Sequence, residues 1–227
     1  MKKIAVAGGP PVTLAKDTRG RAAWSSRGVI LYRDEQGGPL YRIPDSGGQP
    51  TPVTTLDPSR GENAHVLPLF LPDGRRFVFL ARSTGNPKTG IYLASLDSES
   101  RTRLLDVNSQ PEYSSWYLLY QRRGTVMAQP FDERRGRLTG EAAPVVEGVD
   151  YDPFNGNAAS SVSPNGVLIY RTGSGTGGSG RLTWFDRGGK MLGTIGEKGF
   201  YRYPRVSPDA RHVLVTFSKD EERTDLW

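Results

Sequence analysis

Few side chains of this sequence have the types and spacing that enzymes use for bond chemistry. The chain has no cysteine and two histidines, His65 and His212, which excludes thiol catalysis, disulfides and thiolate metal sites. The histidines form neither an H-x-H nor an H-x-x-x-H pair, the spacings that would bring two imidazoles to one zinc ion. The nucleophile elbow G-x-S-x-G of many hydrolases is missing too. We therefore predict no catalytic residue, no metal ligand and no cofactor, and a chain that is not an enzyme.

Two segments match ligand-binding motifs only in part. The loop 173–178, GSGTGG, matches G-x-G-x-x-G, but a dinucleotide site needs a helix after the loop, and the RLTWFDR that follows predicts a strand. Asp150, Asp152, Asn155 and Asn157 alternate oxygen ligands as a calcium loop does, yet they lack the distal glutamate. We interpret the first segment as a flexible hairpin loop and the second as a polar connection between sheets.

The elements that would carry a site are predicted by a recurring turn. In LFLPDGRRFVFLA, Pro72–Gly74 separates two apolar runs; proline presets φ, aspartate caps the turn with its side chain and glycine adopts positive φ. Strands joined this tightly are antiparallel. Equivalent turn positions are Gly28, Gly166 and Ala210, and the four positions are separated by 46, 92 and 44 residues. A repeat of about 45 residues with four short strands predicts the blades of a β-propeller.

Composition also favours an all-β β-propeller. The 227 residues include 28 glycines and 17 prolines, as expected for many short strands and turns. We predict a single propeller domain of five or more four-stranded blades over residues 1–227, or a fragment of a larger propeller. The predicted blades are approximately 19–57, 63–106, 110–148, 155–197 and 199–227, with 1–15 as a candidate closing strand. The third lacks the Pro-Asp-Gly turn, although Tyr117–Tyr120 and Thr125–Phe131 still predict a hairpin around Gly124.

The register of the repeat selects residues that could bind a ligand. The residues nine positions before the turn position are Arg19, His65, Asn157 and Tyr201. We expect them just before the innermost strand of each blade, where the connections of a propeller converge on the central channel. Different side chains at equivalent positions suit recognition, because specificity resides in loops held by a rigid scaffold. Arg202 and Tyr203 would add a cation and an aromatic ring to this channel mouth; the alternative is that all are solvated loop residues.

The aromatic residues of the strands are predicted to pack between adjacent blades, because stacked sheets need bulky side chains on both faces. They are Trp24, Phe70, Phe77, Phe79, Trp184 and Phe185. Stacking on a ligand is the alternative role for these rings.

Charge and hydropathy limit the partners. The formal net charge is +6, but lysine and arginine are scattered through turns and strand edges, so we predict no nucleic-acid partner. No stretch approaches the roughly 18 apolar residues of a membrane span, and the apolar run after Lys3 ends at Gly8, too early for a secretory signal. We expect a protein or peptide partner and no membrane insertion by this chain.

Several segments resemble a known repeat class. They are FLPDGRRFVF, GIYLASLDS, TVMAQPFD, LTGEAAPVVEGV, SVSPNGVLIYR, LTWFDRGGKMLGTIG and RVSPDARHVLV. They are similar to the WD40-like Pro-Asp propeller repeats of the TolB type, and more narrowly to the propeller regions fused to bacterial serine/threonine protein kinases. The chain departs from the pattern at Ala210 and at 25–27, where the glycine or the whole turn is replaced. The resemblance implies a binding or sensor module on the extracytoplasmic side of a membrane.

We therefore predict a non-catalytic sensor propeller that recognises a protein, peptide or small ligand at its channel mouth, as part of a bacterial kinase. The chain itself contains no His-Arg-Asp catalytic loop and no Asp-Phe-Gly. Two alternatives stay open: a substrate-gating propeller of a hydrolase or peptidase, and a free-standing periplasmic scaffold similar to TolB. A nucleophile elbow encoded downstream would favour the hydrolase, and a kinase catalytic loop upstream would favour the sensor.

Overall fold

The computed structural model describes residues 1–3, 12–16, 18–34, 37–84, 89–172, 179–185, 190–206, 213–218 and 225–226. The chain divides into two compact units, Met1–Pro111 and Glu112–Trp227. Within the described residues, helix is limited to one short 3-10 turn, Pro58–Arg60, and the other regular elements are antiparallel strands. The predicted all-β class is confirmed.

The first unit contains one strand pair and two four-stranded sheets. Its strands are β1 (Lys2–Lys3), β2 (Val12–Thr13), β3 (Thr18–Trp24), β4 (Val29–Asp34), β5 (Tyr41–Pro44), β6 (Thr51–Pro52), β7 (Glu62–Phe70), β8 (Arg76–Ser83), β9 (Gly90–Ser95) and β10 (Ser98–Leu105). Sheet 1 has the order β3-β4-β5-β6 and sheet 2 the order β7-β8-β9-β10, while β1 pairs with β2. Each sheet is thus a meander of four consecutive antiparallel strands, which is the construction of a propeller blade.

The second unit is less regular. Its strands are β11 (Glu112–Ser114), β12 (Tyr117–Arg122), β13 (Thr125–Asp132), β14 (Arg137–Leu138), β15 (Ala143–Val146), β16 (Tyr151–Asp152), β17 (Asn157–Ala158), β18 (Ser160–Val162), β19 (Leu168–Tyr170), β20 (Gly180–Phe185), β21 (Met191–Val206), β22 (Val213–Ser218) and β23 (Asp225–Leu226). Sheet 3 comprises β11 to β15, and sheet 4 runs in the order β18-β19-β20-β21-β22-β23.

Sheet 4 joins two of the predicted repeat units. β21 continues without a break from Met191 to Val206, so it pairs with β20 through its first part and with β22 through its second. The described strands therefore form four sheets of four or more strands, and the predicted blade boundaries stay predictions. Ala210 and the GSGTGG loop lie outside the described residues.

The predicted turn is present between β7 and β8. Gly74 has a φ of +66°, and Asp73 Oδ1 accepts hydrogen bonds from the backbone N–H groups of Arg75 and Arg76, both at 2.9 Å. A Cβ at position 74 would lie 2.8 Å from the Oγ of Ser25, in the corresponding turn of sheet 1. Glycine is needed here both for the positive φ and for the close approach of the neighbouring turn.

A serine joins the turns of neighbouring sheets in both units. Ser25 Oγ donates to Gly74 O at 2.6 Å, and Ser114 Oγ donates to Ser163 O at 2.7 Å; each bond spans 49 residues. Ser25 lies three residues before Gly28, as Ser163 lies three before Gly166, and in both turns the glycine N–H donates to the serine carbonyl. The hydroxyl of Ser25 thus fixes the turn of sheet 1 to the turn of sheet 2.

Aromatic packing between sheets 1 and 2 is confirmed for three of the predicted residues. Phe77 and Phe79 are fully buried in a cluster with Leu31 of β4 and with Leu40, which precedes β5, and Phe70 packs against this cluster. Trp24 is different: it is exposed, and its Nε1 donates to Asp45 Oδ2 at 3.2 Å. The prediction that Trp24 packs between adjacent blades is wrong, because Trp24 is the last residue of β3, next to the turn, where its ring is exposed to solvent.

Candidate functional site

The residues predicted for the channel mouth all lie in strands. Arg19 is in β3, His65 in β7, Asn157 in β17, and Tyr201, Arg202 and Tyr203 are in β21. Only the side chains of His65 and Asn157 belong to the described part of the structure. Arg19 and His65 are in the first unit and the others in the second, so their common location at a channel mouth stays a prediction.

The expected loop position of Arg19 and His65 is wrong. β3 begins at Thr18 and β7 at Glu62, and β7 pairs with β8 from Glu62 on, so Arg19 and His65 lie inside these strands and not before them. The register of β7 shifts after Val66, and Leu67 has a φ of +56°. This bulge interrupts β7 where its apolar residues begin. The polar residues before the bulge, 62–65, therefore resemble a loop in the sequence.

His65 is fully buried in a charged cluster, named here the Glu62–His65–Arg101 cluster. Arg101 Nη2 donates to both carboxylate oxygens of Glu62 at 2.9 Å, and Arg101 Nη1 lies 2.9 Å from His65 Nε2. His65 Nδ1 lies 2.8 Å from Thr54 Oγ1, which follows β6 of sheet 1. The guanidinium carbon of Arg101 also lies 4.8 Å from the centre of the Tyr92 ring. The cluster therefore ties sheet 1 to sheet 2.

The surroundings of His65 favour the neutral ring. His65 Nε2 lies 2.9 Å from Arg101 Nη1 and 3.1 Å from Glu62 Oε2, so with Thr54 on Nδ1 both ring nitrogens have a partner in either tautomer of the neutral ring. Burial lowers the pKa of His65 to about 4, and the Glu62 carboxylate offsets only part of this effect. A fully buried neutral ring offers no surface to a ligand, so His65 acts here in packing.

The segment 150–157 is a capped turn between β16 and β17. Asp152 Oδ1 accepts from the N–H of Phe154 at 2.8 Å, and Asp152 Oδ2 accepts from Asn155 Nδ2 at 2.6 Å. Asp150 forms an ion pair with Arg171. The carboxylates of Asp150 and Asp152 thus bind other groups of the chain. Among the described residues, no group of three acidic or histidine side chains could hold a metal ion.

The second unit presents two adjacent aromatic side chains where the turn between β11 and β12 meets β12. Trp116 is 58% exposed and Tyr117 is 45% exposed. The two turn residues, Ser115 and Trp116, have φ values of +49° and +71°, as the central residues of a type I′ turn require. Glycine and asparagine normally occupy such positions, and a bulky side chain with positive φ is an outlier.

Neighbouring groups hold this turn in place. Ser114 Oγ donates to Ser163 O, and Ser115 Oγ donates to Pro164 O at 3.1 Å. The N–H of Phe131 donates to Trp116 O at 2.8 Å. In the sequence, this turn is marked only by the missing Pro-Asp-Gly of the third repeat. Ser115 and Trp116 take its place, which puts an aromatic residue with a strained backbone on the surface.

Replacing Trp116 with glycine is expected to leave the free energy of unfolding unchanged or to raise it by up to about 1 kcal/mol, because glycine relieves the left-handed backbone and little buried surface is lost. Chemical denaturation of the variant and the wild type measures the difference.

Gly124→Ala is the matched control for this experiment. Gly124 has a φ of +84° in the turn between β12 and β13, and an added Cβ would meet nothing within 4 Å. We expect the free energy of unfolding of this variant to fall by about 1 kcal/mol, because alanine is strained at a positive φ. An equal loss in Trp116→Gly would mean that the tryptophan contributes packing, contrary to the strained-turn interpretation.

Basic side chains occupy the turn between β13 and β14, which lies at the same end of sheet 3 as Trp116. Tyr117 pairs with Pro130, and Asp132 pairs with Arg137 across the next strand. The side chains of Arg134, Arg135 and Arg137 are exposed. We name the set Trp116, Tyr117, Arg134, Arg135 and Arg137 the aromatic–basic end of sheet 3.

Comparison with known proteins supports the fold. No protein-family model matches the chain, and no curated protein sequence matches it. Solved structures do match: TolB from Acinetobacter baumannii has a TM-score of 0.74 at 19% identity, over 99% of this chain and 55% of that one. Regucalcin, a calcium-binding protein from Agrobacterium tumefaciens, has a TM-score of 0.66 at 19% identity, over 98% and 76%. A gluconolactonase from Xanthomonas campestris has a TM-score of 0.64 at 17% identity, over 89% and 69%.

These similarities confirm a TolB-like β-propeller fold, and the chain spans about 55% of the length of that TolB. The prediction that the chain is not an enzyme is contradicted, because a gluconolactonase is built on the same fold; the absence of familiar motifs in the sequence was too weak a ground for it. None of the three similarities bears on a kinase. Among the described residues, no helix is long and apolar enough to cross a membrane.

Proposed function

We propose that this chain binds a protein or peptide partner, and that Trp116 and Tyr117 form the centre of the binding site. The observation that carries the proposal is a largely exposed tryptophan on a left-handed turn. Neither the exposure of the indole nor the backbone conformation favours the folded chain by itself. Tryptophan and tyrosine are among the residues most enriched at interaction hot spots.

Rigidity of the turn supports the proposal. The hydroxyls of Ser114 and Ser115 bind carbonyl groups of the neighbouring turn, and the flanking strand β12 pairs with β13 along its whole length. Side chains that are held before the partner arrives lose less conformational entropy on binding, which increases affinity.

The proposed sensor role extends this function. In it, the chain is the extracytoplasmic part of a bacterial serine/threonine kinase, and partner binding biases the linked kinase domain. The motif resemblance supports this role. Sequencing of the gene around this chain tests it: a kinase catalytic loop upstream is the expected result, and a hydrolase nucleophile elbow downstream would contradict it.

Photo-crosslinking tests the binding site directly. With p-benzoylphenylalanine in place of Tyr117, illumination of cells that express the chain is expected to give a discrete adduct with a protein partner. The matched control carries the same residue in place of Val145, which is 44% exposed, close to the 45% of Tyr117, and lies in β15 of the same sheet. Adducts at both positions alike, or at neither, would overturn the proposal.

A further inference from the structure

We infer that the partner of the aromatic–basic end is an acidic protein segment, an extended stretch in which aspartate or glutamate alternates with apolar residues. This inference rests on the proposed function and adds the chemistry of the partner. It is carried by the position of three arginines beside the exposed aromatic turn.

The strand register places the arginines within reach of one extended segment. β12 pairs with β13 and β13 with β14, so the Trp116 turn and Arg137 are two strand spacings apart, or about 10 Å. Arg134 and Arg135 lie in the connection between β13 and β14. About three to four residues of extended chain cover that distance, at about 3.3 Å per residue.

The carboxylates of the same turn are directed at groups of the chain itself. Asp132 Oδ1 accepts from the N–H of Arg135 at 3.0 Å, and Glu133 Oε2 accepts from the Tyr113 hydroxyl at 2.7 Å. The backbone N–H of Arg135 is also the main cause that lowers the pKa of Asp132. The Arg135 guanidinium is 70% exposed and forms a long ion pair with Asp132, at 3.7 Å through Nη1. This distance is beyond a hydrogen bond, so an incoming carboxylate can bind the exposed guanidinium at shorter range.

The residue types fit this partner better than other anions. A guanidinium binds a carboxylate through two parallel hydrogen bonds, and an apolar side chain between two acidic ones would lie against the Trp116 ring. Nucleic acid binding normally uses a longer basic stripe, whereas the three arginines of this site lie in one turn and in the first residue of the strand that follows it. An acidic peptide therefore matches both the aromatic and the basic part of the site.

Fluorescence anisotropy with two labelled probes tests the inference on the full chain. The probes are a glutamate–leucine copolymer peptide and its glutamine–leucine counterpart. We expect the glutamate peptide to bind, to bind more weakly as salt is added, and to lose affinity by about tenfold or more in Arg135→Gln/Arg137→Gln. Trp116→Gly is expected to weaken it as well.

Arg122→Gln/Arg123→Gln is the matched control, because these exposed arginines lie at the other end of the β12–β13 hairpin. It should bind the glutamate peptide as the wild type does. Equal losses in both double variants, equal binding of the glutamine peptide, or tighter binding of a single-stranded oligonucleotide or of anionic lipid vesicles would overturn the inference. A Tyr117 adduct that persists alongside such a result would show that the proposed partner binding stands while its acidic character does not.

Discussion

Replacement of Arg101 by methionine is expected to lower the free energy of unfolding by about 3 kcal/mol. The Glu62 side chain is fully buried, and both of its oxygens accept from Arg101. Methionine keeps the apolar stem against Tyr92 but removes the cation, so the buried carboxylate keeps its hydrogen bond from the Asp57 N–H and loses the charge that neutralises it. Breaking a buried pair in this way costs about 3 to 5 kcal/mol. Chemical denaturation, with the midpoint and slope determined separately, measures the loss.

Two further variants separate this effect from a simple loss of charge. Arg75→Met removes the partner of Asp97 from an ion pair of 2.8 Å that is half exposed at both ends, and should cost less than about 1 kcal/mol. Glu62→Gln/Arg101→Met removes both buried charges and should be less destabilised than Arg101→Met alone. Equal costs for Arg101→Met and Arg75→Met would contradict the assignment of the cluster as a buried tie between sheets.

Acidification is expected to destabilise the chain between pH 6.5 and about pH 4 through His65. The pKa of this histidine in the folded chain is about 4, below its unfolded value of about 6.5. The unfolded chain therefore binds the proton first, so this contribution to stability is fully present above pH 6.5 and is lost as the pH falls towards 4. At about 1.4 kcal/mol per pKa unit, the loss amounts to about 3 kcal/mol.

His212, the other histidine of the sequence, provides the control variant for this measurement. Melting temperatures measured from pH 7 to pH 4 should fall steeply for the wild type and for His212→Gln. His65→Gln should start from a lower melting temperature and show a much flatter profile over this range. A steep fall that persists in His65→Gln would assign the pH dependence to carboxylates instead.

Much of the local structure could be predicted from residue type alone. The hairpin around Gly124 was predicted as Tyr117–Tyr120 and Thr125–Phe131 and is observed as Tyr117–Arg122 and Thr125–Asp132. The turn at Gly74 has the predicted positive φ and aspartate cap. Turn chemistry is local, because proline, aspartate and glycine act on dihedral angles within a few residues.

The polar first half of β7 was missed. The segment 62–66 pairs with β8 although it contains glutamate, asparagine and histidine, and its polar side chains are satisfied by distant residues such as Arg101 and Thr54. A bond between residues 36 or 39 positions apart leaves no periodicity in the sequence. Strand prediction fails wherever burial depends on such partners.

The sequence by itself determined the fold class, the repeat and the turns, because these follow from short-range sterics and the alternation of apolar residues. Only the tertiary structure decided that His65 is a buried neutral ring, that the Ser25 hydroxyl fixes the turn of sheet 1 to that of sheet 2, and that the Trp116 turn is strained and exposed. Those properties depend on which residues of distant segments meet, and a side chain's burial, pKa and hydrogen bonds are set by those neighbours.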